Sequence, residues 1–223
     1  MVAVRLPAAL LALISLHCAA APFAVQIGDT KLGLDAPPGF ADTTFTGSPR
    51  LQELAESLTP ASNRVLMFAL TDADLRRFTT GDPLEAKRYT IAVSPRGLER
   101  EFITAKAFST FIGDSLRELG PLPPAGTTDQ RKYLDTFEGR PALLAELRRE
   151  PQVVSVLLGA RLPAVDGRSD TPKYMLTTTT LILLRGKALN LGVFTNYDSP
   201  ADLEWIRVLT ARWVEELQRL NTR

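Results

Sequence analysis

The chain has 223 residues, of which 45% are hydrophobic, so it is long enough to bury one sizeable core. Its 26 lysines and arginines nearly balance 25 aspartates and glutamates, and its basic pairs are dispersed along the sequence. This balance argues against a nucleic-acid partner, which needs a concentrated basic surface to displace counterions from phosphates.

The first 20 residues predict a secretion signal. An apolar stretch follows the positive charge of Arg5 and ends in small residues. Cleavage after Ala20 is favoured, because cleavage one residue later would leave Pro22 next to the scissile bond. We therefore expect a signal peptide over 1–20, a single α+β domain over 21–223, and a periplasmic or secreted mature protein.

Lipidation of Cys18 is the alternative outcome of export. A lipoprotein signal has a small residue just before the cysteine and an aliphatic residue three before it, but this chain has His17 and Ser15 there. The apolar stretch is also shorter than the roughly 20 residues of a membrane span. Cleavage after Ala20 removes the only histidine and the only cysteine. Stability of the mature protein is then expected to come from its core and not from disulfides.

Turn and cap signals divide the first half of the mature chain into a hairpin, a helix and two strands. Ser48 is placed to cap the helix, and Pro49 suits its first position because that amide needs no partner. The first strand is apolar on both faces, which predicts a place inside a covered sheet. The second strand is apolar on one face only, which predicts a half-buried strand. The predicted hairpin covers 23–36 around Gly28 and Asp29, the helix 49–59, and the strands 64–71 and 87–94.

The second half contains two predicted helices and three predicted strands. Apolar residues recur three or four apart over 99–119, which indicates a helix. The segments 131–137 and 142–148 each fit a short strand or a short helix. A long amphipathic helix begins at Pro200, with Ser199 as its cap. The predicted strands cover 152–162, 173–184 and 188–196, with a tight turn at 185–187. The aromatic residues predicted for the core are Phe102, Phe108, Trp205 and Trp213.

These elements predict an α+β fold, in which helices pack across a mostly antiparallel β-sheet. The stretch from Leu34 to Phe40 resembles the strand and Pro-x-Gly-aromatic opening of PsbP-like domains. The hairpin through Gly186 and Lys187, followed by a long amphipathic helix, resembles how those domains end. The order of elements is also similar to a group of uncharacterised secreted proteins of proteobacteria. The resemblance implies an accessory subunit that docks on a larger complex, although the metal-binding histidines of some relatives have no counterpart here.

Motifs for catalysis and cofactor binding are absent from the sequence. It contains no G-x-S-x-G, S-x-x-K, H-E-x-x-H, G-x-G-x-x-G or G-x-x-x-x-G-K-[ST] motif. Without histidine, a serine nucleophile lacks its usual base and zinc lacks its nitrogen and sulfur ligands. We interpret Asp166 to Asp170 as a turn between strands, and Asp72 to Asp74 as the cap of a short helix. The catalytic residues are therefore unknown, and we predict no metal and no cofactor.

Two groups of residues are candidates for ligand binding. The threonine run 177–180 lies in a strand whose hairpin partner carries Asn190 and Gly192, so hydroxyls and an amide would line a small polar face. Strand propensity of threonine is the alternative explanation. Four arginines near strand ends would clamp an anion, with solvated surface charge as the alternative. These arginines are Arg64, Arg88, Arg96 and Arg100.

Two hypotheses for the function follow. The first is a non-catalytic periplasmic binding or accessory domain, whose partner is an envelope protein or a small ligand. The second is a histidine-independent hydrolase that uses Ser, Lys, Tyr or paired carboxylates. The absence of histidine and of hydrolase motifs favours the first.

Overall fold

Nine strands and five α-helices make up the computed structural model, which describes residues 22–127, 129–163 and 172–222. The predicted signal peptide and the predicted turn at Asp166 to Asp170 lie outside these residues. The strands are β1 (Phe23–Ile27), β2 (Thr30–Leu34), β3 (Phe40–Asp42), β4 (Asn63–Thr71), β5 (Arg88–Pro95), β6 (Ala142–Glu150), β7 (Val153–Arg161), β8 (Tyr174–Leu184) and β9 (Lys187–Asn196). The helices are α1 (Pro49–Ser57), α2 (Asp72–Thr79), α3 (Ala105–Glu118), α4 (Gln130–Asp135) and α5 (Pro200–Leu220).

Seven of the strands form one antiparallel sheet in the order β3-β4-β5-β9-β8-β7-β6. The strands β1 and β2 pair with each other in a separate hairpin. Helices cover both faces of the large sheet, so the predicted α+β class with a mostly antiparallel sheet and a long C-terminal helix is confirmed. No helix in the described ranges has the length and apolar character to cross a membrane.

One face of the sheet packs against α5, α4 and the β1-β2 hairpin. Ile206 and Trp213 of α5 are buried there together with Leu134 of α4 and Leu32 of the hairpin. The long helix has a defined start, because the Asp202 carboxylate accepts a 2.8 Å hydrogen bond from the Ser199 amide. This face holds the largest of the hydrophobic clusters.

The other face carries α1 and α2 over one half of the sheet and α3 over the other half. Leu51 of α1 packs against Phe68 and Ile91 of strands β4 and β5. Phe108 and Ile112 of α3 pack against the half formed by β6, β7 and β8. Alternation along each strand therefore sends neighbouring residues into different clusters.

The prediction that β5 is half-buried is wrong. Its apolar residues face α1 and α2, as the alternation indicated, but Thr90 and Ser94 on the polar side are 0% and 1% exposed. Helix α5 and the β1-β2 hairpin cover that side of the sheet, so polar residues there are enclosed in the core layer.

The predicted helix over 99–119 begins later than expected, at Ala105, where the Thr104 hydroxyl accepts a hydrogen bond from the Ala107 amide. Phe102 is therefore outside the helix and 74% exposed, so its prediction as a core residue is wrong. Phe108 and Trp213 are core residues, as predicted, and Trp205 is half-buried. The segments that fitted strand or helix equally well become the helix α4 and the strand β6.

Candidate functional site

The threonine run divides between the two faces of the sheet. Thr178 and Thr180 are fully buried beneath α5, where their hydroxyls lie 2.7 Å from those of Thr210 and Ser155. Thr177 and Thr179 lie half-buried on the opposite face. The run therefore does not form one polar surface, because neighbouring strand residues face opposite ways.

The strand β9 contributes only part of the polar face predicted beside the run. Asn190 is half-buried on the same face as Thr177 and Thr179, because it lies opposite Leu181 in the antiparallel register. Gly192 is covered, since a Cβ atom there would lie 2.7 Å from Cε2 of Phe194.

The four candidate arginines do not meet at one anion site. Arg64 lies opposite Ser94 near one end of β5, whereas Arg88 lies six residues away, or about 20 Å, at the other end. Arg64 is held by Glu99 at 2.7 Å, and Arg88 is held by Asp202 at 2.9 Å.

The Arg88–Asp202 pair belongs to the structure of the α5 N-terminus. The Arg88 guanidinium also lies 4.0 Å from the ring centroid of Trp205. Burial alone would raise the pKa of Asp202, but hydrogen bonds from Ser199, Arg88 and Asp198 outweigh it and hold this pKa below its usual value. Arg88 thus links β5 to α5, and its guanidinium is already paired with Asp202.

Asp72 and Asp74 belong to the first turn of α2. Thr71 is the cap of α2, because its hydroxyl accepts a hydrogen bond from the Asp74 amide, and Asp72 is the first helical residue. The prediction of an Asp cap at this helix is therefore off by one residue. Within 22–127, 129–163 and 172–222, no three acidic side chains gather as a metal site would require.

A groove between α5 and the edge strand β6 is the candidate site that the described residues favour. Its volume is about 700 Å³, within the range of ligand sites in proteins. The uncharged residues that line it are Ala145, Leu147, Ser155, Val208, Thr210, Ala211 and Val214. The charged residues that line it are Glu146, Arg148, Glu150, Glu204, Arg207 and Glu215.

The base of the groove contains two hydroxyl pairs. Ser155 is bonded to Thr180 and Thr210 to Thr178, and the Thr210 hydroxyl donates to the Ile206 carbonyl at 2.7 Å. These hydroxyls are satisfied by one another and by the backbone. They give the groove a polar base in which each hydroxyl already has a hydrogen-bonding partner.

The two walls of the groove carry different kinds of charge. On the β6 wall, Arg148 is paired with Glu150 at 2.7 Å and Glu146 is paired with Arg149. On the α5 wall, the side chains of Glu204, Arg207 and Glu215 form no ion pair or hydrogen bond with other described residues. The helix wall therefore presents an excess of unpaired carboxylates to an occupant.

The β6 edge itself is poorly suited to pairing with another strand. Its register shifts between Leu143 and Ala145 and again between Glu146 and Arg148, and it ends in three charged residues at 148–150. Bulges and charges are features that protect sheet edges from strand addition. An occupant is therefore expected on the face of β6, beside α5, and not along its edge.

Sequence reasoning missed the groove, although the sequence contains one signal of it. Ser155 interrupts a run of valines in β7, and Thr210 interrupts the apolar stripe of α5. Polar residues at two predicted core positions indicate that they meet each other or a polar site. Their pairing partners and the open space beside them depend on where α5 crosses the sheet.

Similarity to known proteins is found among solved structures. No family model matches the chain, and no curated protein does. Among solved structures, the chain is similar to the Ran-binding protein Mog1p of Saccharomyces cerevisiae, at 15% identity and a TM-score of 0.36. The alignment covers 91% of this chain and 93% of that chain.

Proposed function

We propose that the protein is a non-catalytic binding or accessory domain of the periplasm, and that the α5–β6 groove holds a short segment of a partner protein. The observation that carries the proposal is the groove of about 700 Å³, with an apolar and hydroxyl lining and unpaired charges on its helix wall. Six of the thirteen lining residues are charged and seven are uncharged, so an occupant would meet apolar surface together with charges that fix its orientation.

The dimensions of the groove support an extended segment. From Glu204 to Glu215 the helix wall rises by about 16 Å, since each helical residue contributes about 1.5 Å. An extended chain covers that length with about five residues. Alternating side chains would face the apolar lining and the charged walls in turn. Because carboxylates outnumber guanidinium groups among the lining residues, the outward side chains are expected to be basic.

A direct binding measurement tests this proposal. Two fluorescent seven-residue peptides serve as probes, one alternating valine with lysine and the other valine with glutamate. We expect saturable binding of the lysine peptide and much weaker binding of the glutamate peptide.

Two tryptophan substitutions on α5 locate the binding site. Ala211→Trp fills the groove, whereas Arg212→Trp places the same bulk on the exposed side of the same helix. Ala211→Trp should weaken binding by at least about tenfold, which corresponds to about 1.4 kcal/mol. Arg212→Trp should leave the affinity unchanged. Equal binding by both variants, or no binding by the unmodified protein, would contradict the groove as the site.

The same samples distinguish binding from hydrolysis. Mass spectrometry after prolonged incubation should recover both peptides intact. Cleavage that follows saturable binding would favour the histidine-independent hydrolase instead.

A further inference from the structure

Three turns meet at the end of the large sheet where β8 passes into β9, and a buried lysine holds them together. Lys187 is 1% exposed, and its Nζ donates to the carbonyls of Glu99 and Glu101 at 3.1 and 3.0 Å. The same nitrogen is 2.9 Å from Oδ1 of Asp29. We use the name turn surface for the exposed residues of 29–31, 96–102 and 185.

The turn surface carries more positive than negative charge. Lys31, Arg96, Arg100 and Arg185 are exposed and form no ion pair with other residues in the described ranges. The carboxylates of Asp29 and Glu99 are already paired with Lys187 and Arg64, which leaves Glu101 as the one unpaired carboxylate of this surface. Four cations therefore face solvent against one carboxylate.

Two of these cations have fixed positions. Nε of Arg96 donates to the carbonyls of Ala61 and Asn63 at 3.2 and 3.1 Å, and Nη1 of Arg185 donates to the Lys31 carbonyl at 3.0 Å. The remaining guanidinium nitrogens have no partner among the described residues. A guanidinium held in this way is oriented in advance for anionic oxygens.

Two exposed apolar side chains lie among these cations. Phe102 is 74% exposed and Leu98 is 37% exposed, with Arg100 between them in the sequence. The Phe102 ring rests on Gly186, where a Cβ atom would lie 2.4 Å from Cε2 of the ring. The glycine allows the ring to pack on the turn, so the aromatic side chain is presented to solvent from a defined position.

We propose that the turn surface docks on a bilayer that contains anionic phospholipid. The basic side chains contact headgroup phosphates, while Phe102 and Leu98 enter the interface between headgroups and acyl chains. A bilayer fits this surface better than an acidic protein does, because mobile headgroups adjust to separated cations and the acyl boundary accepts protruding apolar groups. The proposal is independent of the α5–β6 groove.

Vesicle co-sedimentation tests this proposal. The probes are vesicles of phosphatidylcholine alone and vesicles that also contain about one third phosphatidylglycerol. We expect sedimentation only with the anionic vesicles, and release at about 0.5 M salt because screening weakens the attraction. Failure to sediment with anionic vesicles at low salt would overturn the proposal, and binding to polyglutamate in that case would identify an acidic protein as the partner.

Two charge-matched double variants locate the contact. Lys31→Gln with Arg100→Gln removes two cations whose side chains make no hydrogen bond in the described structure, so folding should be unaffected. The control, Lys132→Gln with Arg140→Gln, removes two exposed cations elsewhere. Each cation near an anionic surface contributes roughly fivefold to partitioning, so the first variant should bind at least about tenfold more weakly. An equal loss of vesicle binding in the control would show that binding depends on net charge alone, and it would overturn the assigned surface.

Tryptophan fluorescence tests whether the side chain at position 102 enters the bilayer. Phe102→Trp should be quenched by brominated phosphatidylcholine in anionic vesicles, beyond any quenching of Trp205 and Trp213 in the unmodified protein. Phe102→Ala should weaken binding at low salt while its circular dichroism spectrum stays unchanged. Absence of the additional quenching would show that the ring does not enter the bilayer.

Discussion

Trp213 joins α5 to the segment that follows β2. Its side chain is 1% exposed, and its indole Nε1 donates to the Asp35 carbonyl at 2.8 Å. Trp213→Ala would leave a large cavity and an unpaired carbonyl. We expect a loss of about 3 to 5 kcal/mol in the free energy of unfolding, measured by denaturant titration.

The control for this substitution is a partly exposed residue of the same helix that lines the groove. Val208→Ala removes part of a side chain that is 39% exposed, and it should change stability by less than about 0.5 kcal/mol. A loss below about 1 kcal/mol for Trp213→Ala would mean that α5 does not dock on the sheet as described.

Asp42 makes stability depend on pH. Its side chain is buried, Oδ1 accepts hydrogen bonds from the amide and hydroxyl of Thr44, and Oδ2 has no partner among the described residues. Burial raises the pKa of Asp42 above its ordinary value of 3.8. The folded state then binds more protons than the unfolded state just above this pH, so ionisation of Asp42 lowers the free energy of unfolding as pH rises.

Asp42→Asn removes this dependence. At each pH, the free energy of unfolding of the variant is compared with that of the unmodified protein by urea unfolding. This difference should favour the variant more at pH 7 than at about pH 3. Asp202→Asn should give the opposite trend, because the pKa of Asp202 is lowered and its ionised form stabilises the folded state above 3.8. Parallel changes in the two variants would contradict these assignments.

At the scale of elements, the hydroxyl pair between Thr178 of β8 and Thr210 of α5 fixes one contact between helix and sheet. The Thr210 hydroxyl donates to the Ile206 carbonyl, so the Thr178 hydroxyl donates to Thr210 Oγ1. Thr210→Val would leave the Thr178 donor buried without a partner and should cost about 1 to 3 kcal/mol.

A double-mutant cycle measures the coupling between these two hydroxyls. Thr178→Val combined with Thr210→Val should cost less than the sum of the single changes, by at least about 0.5 kcal/mol in urea unfolding. Strictly additive losses would mean that the two hydroxyls do not interact.

Strong local signals allowed most elements to be predicted from the sequence. The strands predicted at 64–71, 152–162, 173–184 and 188–196 correspond to β4, β7, β8 and β9, and the Ser-Pro pairs at 48–49 and 199–200 marked the starts of α1 and α5. The start of α3 was mispredicted because Phe102 continues the helical spacing of that helix. Contacts with Gly186 and Lys187 hold 99–103 in a non-helical conformation, and these contacts depend on a turn more than 80 positions away.

The candidate site was much less predictable than the fold. The threonine run lies in a strand beside the groove, but its buried residues Thr178 and Thr180 do not line the groove. They are linked to it only by their hydrogen bonds to Thr210 and Ser155. Which part of β6 and β7 stays uncovered depends on the position of α5 across the sheet. Local sequence patterns indicate which face of that helix is apolar, but they do not indicate where the helix crosses the sheet.

At the scale of the whole molecule, export remains a prediction from the first 20 residues. We expect a mature protein that begins at Ala21, which intact mass spectrometry of the exported protein would measure directly. A mass that includes residues 1–20, or a lipid-modified Cys18 at the amino terminus, would contradict this processing.

The position of β9 has a consequence for the order in which the protein folds. This strand is the central one of the seven, and it joins β5 to β8. Its pairing with β5 brings Arg88 opposite Thr195, so the two halves of the sheet close across more than 100 residues of chain. Contacts of such long range form slowly, because a large loop must close first.

A chain that emerges from the ribosome or from a membrane channel cannot complete this sheet from its N-terminal half. Until β9 and α5 are released, β5 lacks its inner neighbour and the apolar face beneath α5 stays open. The native state therefore becomes accessible only near the end of synthesis. Until its last strand arrives, the chain exposes the apolar surface that β9 and α5 will cover, and such incomplete chains are prone to aggregation.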